Sequence, residues 1–124
     1  MPKNIIETPN VPRPDGTYSN GTVGGGFIFV AGQVGVDLKG EVKAGIAEQT
    51  GQALINIKAI LEAAGSSLEN VMRVGVYLRD VNDFDEMDKI YRTFFPQNPP
   101  ARTAVQALIA DKRCVIEIDA VALR

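Results

Sequence analysis

The chain has 124 residues, and 13 basic against 15 acidic side chains leave a formal charge of −2. A chain of this length is expected to be one domain, residues 1–124, able to bury about two thirds of its unfolded surface. Its 45% apolar and 23% charged content is that of an ordinary globule. The acidic balance argues against a nucleic-acid surface, and the absence of histidine excludes His-based triads and dyads and the commonest zinc ligand sets.

The single cysteine, Cys114, cannot form an internal disulfide, which fits a reducing compartment. No basic-then-apolar leader opens the chain, and no apolar run approaches the ~20 residues of a membrane span. A cytoplasmic location away from membranes is expected.

In chain order, Pro2, Pro9, Pro12 and Pro14 predict an extended arm, because proline lacks a donor and fixes φ. A first strand is expected at Tyr18 to Thr22, a turn at Gly24-Gly25-Gly26, and a second strand at Phe27 to Val30. No Gly-Lys-Ser/Thr follows the glycines, so a hairpin is favoured over a phosphate loop. Phe27 to Val30 is apolar at every position, which reads as a strand covered on both faces.

From about Ile46 to Ala64, apolar residues recur at three and four and predict a helix, with Gly65 as its C-terminal cap. Ser66 to Glu69 offers a capping box for one short turn. Val74, Val76 and Leu78 alternate with polar neighbours and predict a strand over 71–79. Asp83 and Glu86 mark the start of a second helix, with Phe84, Met87, Tyr91 and Phe94 on one face and Pro96, Pro99 and Pro100 ending it. Two more strands are expected at about Arg102–Ile109 and Cys114–Leu123.

The expected architecture is therefore α+β, a mixed sheet of about six strands with two main helices on one face. The other face would keep an apolar surface, which predicts a homo-oligomer that buries it.

The chemistry-bearing residues lie in the last two strands. If these form a hairpin around Ala110–Arg113, Gln106 pairs with Glu117 and Arg102 with Val121. Arg102, Ala104, Gln106, Glu117 and Asp119 would then share a face. Arg102 and Glu117 would start ~13 Å apart along the strands and could lean in to leave a gap for a small acid. An arginine fork binds a carboxylate through two parallel hydrogen bonds, and a nearby glutamate can orient or deprotonate water or protonate a leaving nitrogen. The competing reading is a structural ion pair on a sheet face. Tyr18 reads first as a rim or packing aromatic, Cys114 as a small core residue, and Asp83, Asp85, Glu86 and Asp88 as acids favoured in the first turns of a helix.

Several stretches in this order resemble the RidA/YjgF family of reactive-intermediate deaminases, once labelled L-PSP endoribonucleases. They are Tyr18 after the proline arm, Phe29-Val30-Ala31-Gly32-Gln33, Ile57 through Gly65, Val76 through Phe84, Tyr91 through Phe95, Pro100-Ala101-Arg102-Thr103 and Ile116 through Ala120. The resemblance implies a chorismate-mutase-like fold and a homotrimer with a cleft at each subunit boundary. It implies that Arg102 grips a substrate carboxylate, that Glu117 positions the hydrolytic water, and that Tyr18 enters from the adjoining subunit. Ala31, Gly32 and Ala104 would line the pocket, with no metal or cofactor. The implied reaction is hydrolysis of 2-imino acids, 2-iminobutanoate and 2-iminopropanoate, to 2-oxo acids and ammonia. Ala31, Ala104, Asp88 and Leu108 stand where many members carry serine, cysteine, asparagine and a small or basic residue. The alternatives are a non-catalytic ligand-binding or regulatory trimer and an endoribonuclease or translation inhibitor. The imine reading requires the Arg102 guanidinium and the Glu117 carboxylate to converge on one cavity at a subunit boundary.

Overall fold

A computed structural model describes residues 2–124, so that Met1, the first residue of the expected domain, lies outside the described residues. Strands β1 (Asn4–Ile6), β2 (Gly21–Gly24), β3 (Phe27–Val34), β4 (Val71–Leu78), β5 (Ala101–Gln106) and β6 (Ile116–Leu123) form one mixed sheet in the order β1-β2-β3-β6-β4-β5. Helices α1 (Gly45–Ala63) and α2 (Phe84–Phe94) cover one face. The strand count, the two helices and their common side agree with the expected architecture. The first strand differs: β2 begins at Gly21 rather than Tyr18, and the proline arm itself contributes β1. None of the helices among the described residues is long and apolar enough to cross a membrane.

The core follows from the two periodicities. Along α1, Ala53, Leu54, Ile57, Ile60 and Leu61 are buried, and Met87 and Tyr91 continue that layer from α2. They meet Ile28 and Val30 of β3, Val74, Val76 and Leu78 of β4, and Ile116, Ile118, Ala120 and Ala122 of β6. Burying one such aliphatic side chain contributes roughly 1.5–3 kcal/mol. Gly65, at φ 79°, ends α1 in the left-handed region that glycine tolerates best. At the β2–β3 connection, Gly25 and Gly26 have φ 59° and 81°, as a tight primed hairpin turn requires. The expected capping box is not formed: the Ser67 side chain makes no cap bond, and the Ser66 hydroxyl donates to the Leu123 carbonyl instead.

Two expectations about the strands are corrected. Phe27 to Val30 is not covered on both faces in the protomer. Ile28 and Val30 are buried, while Phe27 and Phe29 stand on a bare face beside their β6 partners Leu123 and Val121. The all-apolar run marks two surfaces, one internal and one awaiting a partner. More consequentially, β5 and β6 do not form a hairpin. β5 pairs in parallel with β4, and β6 runs between β3 and β4. A parallel pair needs a crossover, and α2 supplies it, which leaves β5 as an edge strand.

Candidate active site

The strand register decides where the expected site residues point. Val74 lies opposite both Arg102 and Ala120, and Tyr77 opposite both Val105 and Glu117. Arg102, Ala104 and Gln106 therefore share the helix-covered face with Val74, Val76 and Leu78. Glu117 and Asp119 share the bare face with Gly75 and Tyr77. The common face expected from a hairpin does not exist in the protomer, because β4 intervenes and the parity differs.

The Glu117 side is built around a bulge. The β3–β6 register shifts between Val30 and Gln33, so β3 carries one residue more than its partner. The bulge is pinned by the Ala31 N–H donating to the Asn20 carbonyl and by the Gln33 side-chain amide donating to the Ala31 carbonyl at 3.1 Å. It also reverses the alternation, sending Gln33 inward and Val34 onto the bare face opposite Glu117. Bulges of this kind re-aim side chains beside functional sites. Gly32 lies against Glu117: a Cβ there would collide with the carboxylate. Ala31, Gly32, Val34, Glu117, Tyr18 and the loop 110–113 line one cavity of about 750 Å³.

The loop wall of this cavity is fastened from below. Arg79 donates to the carbonyls of Cys114 and Asp111, and the Gln49 side-chain oxygen accepts the Val115 N–H at 2.8 Å. Within the loop, Arg113 grips Asp111 through two hydrogen bonds, which hold that carboxyl below its usual range. Cys114 is fully buried behind it, as expected, and burial pushes its thiol up.

Glu117 is half-buried, and no hydrogen bond to its carboxylate is formed among the described residues. Burial first, and the charge of Asp119 second, push its carboxyl above the ordinary glutamate value. Asp119 is otherwise engaged, accepting the Gly75 N–H at 3.1 Å and the Tyr77 hydroxyl at 3.0 Å. Tyr18, 48% exposed, donates its hydroxyl to Asp15 at 3.1 Å, and partial burial raises its phenol.

Arg102 belongs to a second constellation. Its Nη1 donates to Asp88 Oδ1 at 2.6 Å, while Arg92, one turn along α2, donates to the other Asp88 oxygen at 2.9 Å. The guanidinium carbon lies 4.6 Å from the Tyr91 ring centroid and 5.2 Å from that of Phe84, distances at which a cation is attracted to the ring face. The bond from Arg102, followed by that from Arg92, holds the Asp88 carboxyl below its usual range. Burial pushes the Tyr91 phenol up to about 12, and its hydroxyl has no partner among the described residues. Arg102, Asp88, Tyr91, Phe95 and Pro100 line a separate cavity of about 380 Å³.

Of the residues expected from the sequence, Tyr18, Ala31, Gly32 and Glu117 come together and Arg102 does not join them. Tyr18 thus shares its own chain's cavity with Glu117, and it is Arg102 that stands apart; the resemblance had separated Tyr18. Ala104 packs against the core from the helix face and lines neither cavity. Its backbone sits on the edge strand, but its side chain is a packing group. Sequence reasoning missed Asp111, Lys112 and Arg113 as cavity wall and Asp88 as the partner of Arg102. The 88–92 spacing could have signalled the helix pair; the reach from α2 to β5 could not be read.

The chain matches the family model described as Endoribonuclease L-PSP over residues 8–124, and it belongs to that family. It is 49% identical over 124 residues to a RutC family protein of Pyrococcus horikoshii, covering 98% of each chain. It is 40% identical to the 2-iminobutanoate/2-iminopropanoate deaminase of Rattus norvegicus, covering 98% of this chain and 90% of that one. Among solved structures it superposes on E. coli TdcF with bound serine at a TM-score of 0.93 and 35% identity, with 98% of each chain covered. RidA from the Antarctic bacterium Psychrobacter sp. matches as closely, at 0.93 and 35%, over 98% of this chain and 99% of that one.

Proposed function

We propose that the protein is a hydrolase acting on C–N bonds, converting 2-imino acids such as 2-iminobutanoate and 2-iminopropanoate to 2-oxo acids and ammonia. We place its sites between copies of the chain in a homotrimer. The observation that carries this reading is the division of the machinery. A half-buried Glu117 with no hydrogen-bond partner among the described residues lies over the Gly32 bulge on the bare face, and the Arg102 guanidinium lies at the free edge strand. Arg102 and Glu117 line different cavities of the protomer, whereas a second copy seating its β5 edge against the bare face would join them. That face has the character of a subunit contact, with Phe29 50% and Leu123 41% exposed. The names of relatives such as the rat deaminase support the chemistry.

In this reading Arg102 takes the substrate carboxylate through its free donors. Water adds its oxygen to the C=N carbon, giving one proton to Glu117, which passes it to the nitrogen to form the carbinolamine. The carbinolamine then collapses: its hydroxyl proton is relayed through Glu117 to the nitrogen, the C–N bond breaks, and ammonia leaves as the carbonyl forms. A carboxyl raised by burial suits both halves of that proton traffic. Tyr18, at the mouth of the same cavity, is assigned to the substrate rim, and Ala31 and Gly32 to the wall. Holding the carboxylate beside the water supplies orientation, which can lower the barrier by several kcal/mol.

The test is release of 2-oxobutanoate when the protein is added to a threonine dehydratase reaction. Wild type should accelerate release and Arg102→Ala should not. Binding of 2-oxo acids without acceleration would instead establish a ligand-binding protein, and absence of both would remove the imine reading.

A further inference from the structure

The Arg102 constellation contains more than a carboxylate anchor needs. We propose that Asp88 is a positioning residue that aims the Arg102 guanidinium and moderates its charge, trading substrate affinity for orientation; this rests on the reading of Arg102 as the carboxylate anchor.

Arginine at an edge strand has a long, freely rotating side chain and nothing on its open side to fix it. Here three contacts converge on one guanidinium. Asp88 takes Nη1 at 2.6 Å, and the rings of Tyr91 and Phe84 lie within 5.2 Å of Cζ. The acid that does this is itself held, because its second oxygen is engaged by Arg92 at 2.9 Å. The Arg102 and Asp88 side chains are 23% and 24% exposed, so the pair is not the solvated surface type that contributes nothing measurable. A guanidinium carries five N–H donors in a rigid fork. With one committed to Asp88, four remain for an incoming carboxylate, and their direction is set by the committed one.

The same contact carries a cost. A substrate carboxylate approaching Arg102 meets the negative charge of Asp88 within a few ångströms. Arg92 offsets that charge only in part, since its side chain is 71% exposed and screened by solvent. An uncharged acceptor at this position would keep the aim and lose the repulsion. Asp88→Asn and Asp88→Ala therefore separate the two effects.

The experiment measures kcat and KM on dehydratase-generated 2-iminobutanoate and the affinity for 2-oxobutanoate by calorimetry. Thermal melts of the same preparations check folding. Asp88→Asn should lower KM and the 2-oxobutanoate Kd by about fivefold, the size of one screened charge pair, with kcat unchanged. Asp88→Ala should lower kcat by roughly tenfold or more through loss of aim. A purely structural Asp88 would lower the melting temperature of both variants and leave kcat and KM of the folded protein alone, and that result would overturn the proposal. So would an Asn variant that lowers kcat as much as the Ala variant. Wild type that neither binds 2-oxobutanoate nor turns over the imine would overturn the anchor reading itself, a failure visible before any variant is compared.

Discussion

Two inactive variants should restore each other if the site is divided between copies. In Arg102→Ala the Glu117 cavity is intact, and in Glu117→Gln the Arg102 constellation is intact. The register places these groups on opposite faces of the sheet with β4 between their strands, so one chain cannot supply both to one site. In trimers assembled at random from equal amounts, each site draws its guanidinium from one copy and its carboxylate from a neighbour. The chance that both are intact is one half of one half over the whole mixture, and assemblies containing both variants hold one intact site in three, so these should recover about a third of wild-type activity under cyclic symmetry. The two variants, carrying different tags, are co-expressed, and mixed assemblies are isolated by tandem affinity and assayed for 2-oxobutanoate release. Mixed assemblies no more active than the two parents would refute the divided site, since that is the outcome for a site built within one chain.

Three further outcomes follow from the same geometry. Gly32→Ala drives a Cβ into the Glu117 carboxylate and should lower kcat by about 10²-fold with the far-ultraviolet circular dichroism unchanged. Phe29→Asp puts a charge in the middle of the bare face. It should shift the sedimenting species toward monomer and abolish turnover, while the melt stays cooperative. Glu117 is favoured in its neutral form by the fold, so its contribution is fully present below the ordinary glutamate pKa and is lost as pH rises through the raised one. Glu117→Gln should therefore stabilise the protein near neutral pH by less than ~1 kcal/mol after solvent screening, with no gain in acid, as read from melts across pH.

Much of the fold was legible because local patterns and the core agree. The three-and-four spacing of Ala53 through Leu61 fits α1 and no strand. The alternation at Val74, Val76 and Leu78 fits β4, and Gly65 and the glycines after β2 fall where positive φ is needed. The bare apolar face was also legible, since two helices cannot cover both sides of six strands. The candidate site was legible as a set of residues but not as an arrangement. Gly32 and Glu117 come together through a one-residue bulge that nothing in the pattern of Phe27 to Val34 announces.

Residue identity and spacing along the chain determined the elements, their buried faces and the chemical repertoire: one guanidinium and one glutamate suited to a small acid. Pairing between distant strands was decided only in three dimensions. Antiparallel neighbours in sequence default to a hairpin, but the crossover through α2 carries β5 beyond β4, and β6 takes the centre of the sheet. Because side chains alternate with a period of two, that exchange of partners set Arg102 and Glu117 on opposite faces. It also gave Arg102 its companion Asp88 from a helix 14 residues earlier in the chain, a contact that depends on how α2 lies over the sheet and not on any local preference.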